Sequence, residues 1–157
     1  MRRIDYYDDP DAPPANSLVP SANAIVVNDA GALLLIHRTD NDNWALPGGA
    51  MDLGESLVDT AVRETLEETG IVCEVTGLVG IYTDPKHVIL YTSDNEARQE
   101  FSVVFTARPV GGTPTPSSES RSVEWIAPDA VSELPMDRSM RMRVEHYLSG
   151  RQTPYLG

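Results

Sequence analysis

The chain has almost no cysteine, no long apolar run and few basic residues, and each shortage excludes a class of protein. Cys73 is the only cysteine among 157 residues. No intrachain disulfide can form, and a lone thiol fits a reducing compartment. Flanked by Val72 and Val75, Cys73 reads as a small buried hydrophobe rather than a redox group. The apolar runs are short, such as Ala32–Ile36, against the roughly 20 residues of a membrane span. Arg2 and Arg3 are followed by no apolar stretch, whereas a secretory signal needs about 7–15 apolar residues there. A cytoplasmic location without a membrane partner is therefore expected. Twelve Lys and Arg stand against 24 Asp and Glu, a net charge of -12. A field of that sign repels nucleic acid and anionic membrane. It also repels a phosphate substrate, unless bound metal reverses the charge locally.

What remains is the composition of one globular domain, with 41% hydrophobic and 23% charged residues. A chain of this size buries a core without staples. Residues 1–17 carry Asp5, Asp8, Asp9, Pro10, Asp11, Pro13 and Pro14. They read as an acidic, proline-rich arm, mobile or irregular on the surface, with Tyr6 and Tyr7 as anchors. Residues 18–150 form the domain and 151–157 a tail. The runs Asn23–Asn28 and Ala32–Arg38 flank Asp29-Ala30-Gly31, which suggests a hairpin with Gly31 at positive φ. Asn41–Gly49 is loop. Ile71–Tyr82 is a strand, broken near Gly77 and Gly80. Lys86–Thr92, Gln99–Arg108 and Arg121–Ile126 are further strands. Asp129–Glu133 is one helical turn and Met136–Leu148 a closing helix. Strands interspersed with helices predict an α/β fold with a mixed sheet.

The informative segment is the helix expected from Ser56 to Thr69. Ser56 can cap it, with Asp59 three residues on, and Gly70 stands where it should stop. At about 100° per residue, Val58, Val62 and Leu66 form an apolar stripe, with Thr65 and Thr69 beside them. Glu64, Glu67 and Glu68 cluster opposite. Like charges at those spacings cost a few tenths of a kcal/mol each. A hard cation offsets this, since carboxylate oxygens are its ligands. The plain alternative is a solvated acidic face. Pro47-Gly48-Gly49 and Gly54-Glu55 lie just upstream. A glycine pair lets backbone approach a ligand closely, and Arg63 can pair with Glu55 to hold loop to helix.

Gly49, Glu55, Arg63, Glu64, Glu67, Glu68, Gly70 and Ile71 fall in the register of the Nudix hydrolase box, which this segment resembles. Only Thr65 departs, where an aliphatic residue is usual. The resemblance extends to LLLIHR and WALPGG upstream. It implies an α/β/α sandwich around a mixed β-sheet, Mg²⁺ or Mn²⁺ as cofactor, and a small nucleotide partner. Homodimers are common in such families. On this resemblance Glu64, Glu67 and Glu68, with the carbonyl of Gly48, are the metal ligands. Glu55 and Arg63 are the structural pair. Glu64, Glu67 and Glu119 are the catalytic carboxylates, with Glu100 in reserve for Glu119. The implied reaction is hydrolysis of a diphosphate linkage in ADP-ribose or a nucleoside diphosphate sugar. Pro85, some fifteen residues beyond Gly70, leans the same way. The alternatives are a nucleoside triphosphate pyrophosphohydrolase and a non-catalytic nucleotide-binding module. Arg38, Trp44 and Phe101 are the candidate contacts to the rest of the substrate, ahead of His37, His87 and Tyr91.

Overall fold

The structure is a computed structural model and describes residues 3–157. Met1 and Arg2 lie outside the described residues, and with them the start of the expected arm. In chain order the elements are β1 (Arg3–Tyr7), β2 (Ser17–Leu18), β3 (Ser21–Val26), β4 (Leu33–Arg38), β5 (Trp44–Ala45), β6 (Gly48–Ala50), α1 (Leu57–Thr69), β7 (Ile71–Tyr82), β8 (His87–Tyr91), β9 (Glu96–Gln99), β10 (Ser102–Gly112), β11 (Ser120–Ile126), α2 (Pro128–Val131), α3 (Arg138–Leu148) and β12 (Tyr155–Leu156). The central sheet runs β12-β7-β10-β3-β6, and smaller sheets run β1-β8-β9-β2 and β11-β4-β5. The central sheet is mixed: β10 is parallel to β3 and antiparallel to β7.

Alternation along β3 places the helices on opposite faces. Ala22, Ala24 and Val26 pack with Ala61 of α1. Ile25 points the other way and packs with Val131 of α2 and Val144 of α3. The result is the expected α/β/α sandwich. Cys73 is free and buried within the first of these cores.

Several local expectations are corrected. Gly31 does sit at φ 81°, but the hairpin around it closes only at Val27 and Leu33. Beyond that bridge β3 joins the central sheet and β4 joins β11, so the two runs diverge. The first part of the arm is a strand, with Arg3 opposite Tyr91 and Tyr7 opposite His87. Among its described residues, the stretch between β1 and β2 is the irregular part. The tail adds a short edge strand, with Tyr155 beside Gly80. β7 is continuous. Its register against β10 slips beside Gly77 and Gly80, which bends the strand without breaking it.

Candidate active site

Helix α1 forms where the sequence places it. The Ser56 side chain accepts from the Asp59 N–H, the Asp59 carboxylate accepts from the Ser56 N–H, and Gly70 ends the helix at φ 76°. This capping box satisfies two otherwise orphaned donors. Its buried face differs from the expected stripe. Thr60, Ala61, Thr65, Glu68 and Thr69 are buried, whereas Val58 and Leu66 are 42% and 47% exposed. Small side chains let α1 approach the sheet closely, and that approach carries Glu68 inward.

The loop before α1 is fitted to the helix. β6 pairs with β3, Gly48 opposite Asn23 and Gly49 opposite Ala22. A Cβ at Gly48 would lie 2.3 Å from the Ala22 carbonyl oxygen, and one at Gly49 2.6 Å from the Glu64 carboxyl carbon. Gly48 meets backbone and so demands glycine, whereas a side chain at Gly49 would push the Glu64 carboxylate out of its place. The Gly48 N–H donates to Glu68 Oε2 at 3.1 Å. Arg63 ties the loop to the helix, with Nε 2.6 Å from Glu55 Oε2 and Nη2 2.9 Å from Glu55 Oε1. Its Nη2 also donates to the Ala50 carbonyl at 3.1 Å. Its Nη1 reaches Glu64 Oε1 at 2.9 Å and Glu67 Oε2 at 3.2 Å.

The carboxylates differ by environment. Burial pushes Glu68 up to about 8, against the Gly48 N–H, and the charges of Glu64 and Glu119 add to the rise. Burial also raises Glu64, despite its bond to Arg63. The Arg63 fork holds Glu55 down at about 2. Glu67 is exposed.

Glu119 is brought to the same patch by strand pairing. β11 runs antiparallel to β4, with Ser120 opposite Arg38. The Glu119 carbonyl accepts from the Thr39 N–H at 3.1 Å. Its carboxylate lies within electrostatic reach of Glu68. Glu100, the reserve candidate, is elsewhere: it is buried and accepts from Arg143 Nη2 at 2.9 Å and contacts His87 Nδ1 at 3.0 Å.

A cavity of about 640 Å³ is lined by Arg38 and Trp44 and also by Arg3, Asp5, Tyr7 and Asp137. None of the patch carboxylates lines it, and the charge of Arg38 is its link to Glu68. Arg38 forks onto Asp40 at 2.9 and 2.8 Å. Trp44 is stacked on His37, ring centroids 4.8 Å apart, so it both packs and lines. Phe101 lines neither this cavity nor a smaller one near His87. Tyr91 lies under the Arg98 guanidinium. His87 is no ordinary strand end: it is 3% exposed and sits between two carboxylates.

Asn23 and Arg143 escaped the sequence reading. Arg143 Nη1 donates to Asn23 Oδ1 at 2.6 Å, and Asn23 Nδ2 donates to the Pro47 carbonyl at 3.3 Å, beneath the glycine pair. The available signal was an amide inside the apolar run NAIVV.

The patch suits a hard divalent cation. Its donors are all oxygen. Glu64 and Glu68 are both raised by burial, a surplus of negative charge that a cation would neutralise. Among the described residues no three acidic, His or Cys side chains converge into a cage by themselves. Backbone carbonyls and substrate phosphates would have to complete the shell, as is usual for Mg²⁺.

The NUDIX domain family model matches residues 17–147, and the chain belongs to the Nudix hydrolase family. A MutT-like protein of Streptomyces ambofaciens is 41% identical over 122 residues, covering 78% of this chain and 71% of that protein. A Bacillus subtilis protein, named provisionally as an 8-oxo-dGTP diphosphatase, is 30% identical over 131 residues, covering 83% and 80%. An ADP-ribose pyrophosphatase of Methanocaldococcus jannaschii is 29% identical over 116 residues, covering 71% and 64%. Among solved structures, a NUDIX hydrolase from Nitrosomonas europaea superposes with a TM-score of 0.72 at 22% identity, covering 90% of this chain and 77% of that one. The chain is a Nudix pyrophosphohydrolase, of a family that generally depends on a divalent metal and acts on small nucleotides. No helix among the described residues is long and apolar enough to cross a membrane.

Proposed function

We propose that this enzyme cleaves the diphosphate linkage of a small nucleoside diphosphate derivative of the ADP-ribose or nucleoside diphosphate sugar type. The observation that carries the proposal is the position of Arg38. It lines the 640 Å³ cavity and its charge also acts on Glu68. One substrate can therefore lay its diphosphate on the glutamate patch and the rest of itself in the cavity. A volume of this size is in the ordinary range for such ligands.

Glu64, Glu67, Glu68 and the Gly48 carbonyl would hold Mg²⁺ or Mn²⁺. A cation there supplies neutralisation of the diphosphate and polarisation at phosphorus. The protein's own residues do the rest. The Arg63–Glu55 fork and the Gly48 N–H fix the carboxylates relative to the loop. Arg38, forked onto Asp40, contacts the rest of the substrate through its remaining N–H donors. Glu119, reaching the patch from the turn before β11, accepts the proton of the attacking water, with Glu64 and Glu67 as the other catalytic carboxylates. Attack at phosphorus gives two phosphate-bearing products.

The name of the Bacillus subtilis relative favours a second reading, a nucleoside triphosphate pyrophosphohydrolase. Product analysis with Mg²⁺ separates them. ADP-ribose yields AMP and ribose phosphate on the first reading. A triphosphate yields the monophosphate and pyrophosphate on the second. Turnover of neither sinks both. The free thiol of Cys73 supports a reducing, cytoplasmic setting.

A further inference from the structure

The cavity has a wall that comes from the far end of the chain. Arg3, Ile4, Asp5 and Tyr7 of β1 face Arg38 and Trp44 across it. Among the described residues β1 is paired on one side only, with β8, and its residues Ile4 to Tyr7 are only part-buried. Polar side-chain contacts add to its hold. Asp5 Oδ2 lies 3.2 Å from His87 Nε2, and Glu100 Oε2 lies 3.0 Å from His87 Nδ1. An imidazole with a carboxylate on each nitrogen donates from both, which requires the protonated ring. The Tyr7 ring stacks on His87 at 4.4 Å. The Tyr7 hydroxyl donates to Asp137 Oδ2 at 2.8 Å, at the start of α3. The inner end of the clamp is fixed as well, because Glu100 is held by the buried Arg143.

The clamp presents Arg3 to the cavity in the same manner as Arg38. Arg3 forks onto Asp5 at 2.7 and 3.0 Å, as Arg38 forks onto Asp40. The two guanidiniums are near enough to feel each other's charge. Each is already neutralised by its own carboxylate, so neither calls for a further phosphate. What each retains is N–H donors suited to neutral oxygen or nitrogen acceptors, such as those of a sugar or a base edge.

We propose that β1 is a latched wall of the nucleotide cavity: His87, clamped between Asp5 and Glu100, is a positioning residue that holds the strand, and Arg3 is a specificity-determining residue that contacts the nucleoside part of the substrate. The proposal rests on the cavity being the seat of the nucleotide. It is independent of which bond is hydrolysed.

The test uses the full chain and two variants, Arg3→Ala and His87→Gln, with AMP, dGMP and inorganic pyrophosphate as probes in Mg²⁺. Arg3→Ala leaves the buried clamp residue in place and guards against a His87 variant that fails to fold. The expected result for Arg3→Ala is a loss of AMP and dGMP affinity of about tenfold, with pyrophosphate affinity changed less than about twofold. In His87→Gln the same split appears, and the β1 amides paired with β8 lose at least about tenfold of their hydrogen-exchange protection while those of α1 keep theirs. A merely structural role would weaken all three probes alike. Three results overturn the proposal: equal losses for nucleotide and pyrophosphate, no nucleotide binding by the unaltered protein, or β1 protection unchanged in a folded His87→Gln. Failure of the hydrolase reading registers separately, as absence of turnover, because binding and exchange require none.

Discussion

Gly49 lies against the carboxylate of Glu64, so closely that a methyl group there would stand 2.6 Å from the carboxyl carbon. The glycine is needed for the position of the side chain opposite. Gly49→Ala must therefore move Glu64 or the loop. We expect a folded protein with turnover reduced about 100-fold, the scale for a misplaced reacting group. Steady-state kinetics beside a thermal melt check this. Unchanged turnover would show that Glu64 has freedom to shift without consequence.

Arg63 joins Glu55, Ala50, Glu64 and Glu67 through one guanidinium. An ammonium cannot reproduce that planar fork. Arg63→Lys should lower kcat/KM by about 10- to 100-fold, the range seen for groups that orient ligands. The melting temperature should fall by less than a core substitution would produce, because the site is part exposed and screened. Activity equal to the unaltered enzyme would remove the loop–helix tie from the account.

Glu119 approaches from the turn before β11 and not from the helix. Glu119→Gln should lower kcat by about 100-fold or more, the usual contribution of a general base, and leave the activating Mg²⁺ concentration nearly unchanged. A matched loss of Mg²⁺ activation would reassign Glu119 as a ligand.

The clamp at His87 makes stability pH-dependent. Burial opposes its charge, but hydrogen bonds to Asp5 and Glu100 raise it to about 9. The folded value is above the unfolded value of about 6.5. Its contribution is therefore complete below about pH 6.5 and is lost as pH rises through about 9. Thermal melts from pH 6 to pH 10 should show a falling Tm, and His87→Gln should flatten that fall. Parallel slopes for the two proteins would contradict the clamp.

Much of this was legible from local signals. Ser56, Asp59 and Gly70 bound α1 through capping chemistry, which acts within a few residues. The spacing of Glu55, Arg63 and the glutamates placed the loop–helix tie for the same reason. The buried face of α1 was legible only in part: Thr65 and Thr69 stood beside the expected stripe, but Thr60 and Ala61 are small and carry little hydropathy, and the burial of Glu68 had no local signal. β1 was hidden because the acidic, proline-rich residues that follow it make the whole arm read as irregular, and its partner His87 is some eighty residues away in sequence. The fates of Glu100 and Arg143 were hidden likewise. A buried ion pair depends on who arrives opposite, and α3 brings Arg143 to Glu100 from 43 residues on.

Glu68 carries the central claim, since it is the buried carboxylate on which the Gly48 N–H, Glu64, Glu119 and Arg38 all act. Glutamine keeps an acceptor for the Gly48 N–H and removes the charge. The decisive measurement is product formation from ADP-ribose and from a nucleoside triphosphate, with and without Mg²⁺, by the unaltered enzyme and by Glu68→Gln. The account predicts Mg²⁺-dependent cleavage by the first and a loss of at least about 100-fold in the second, with the melting transition retained. Near-equal rates at saturating Mg²⁺ would contradict it.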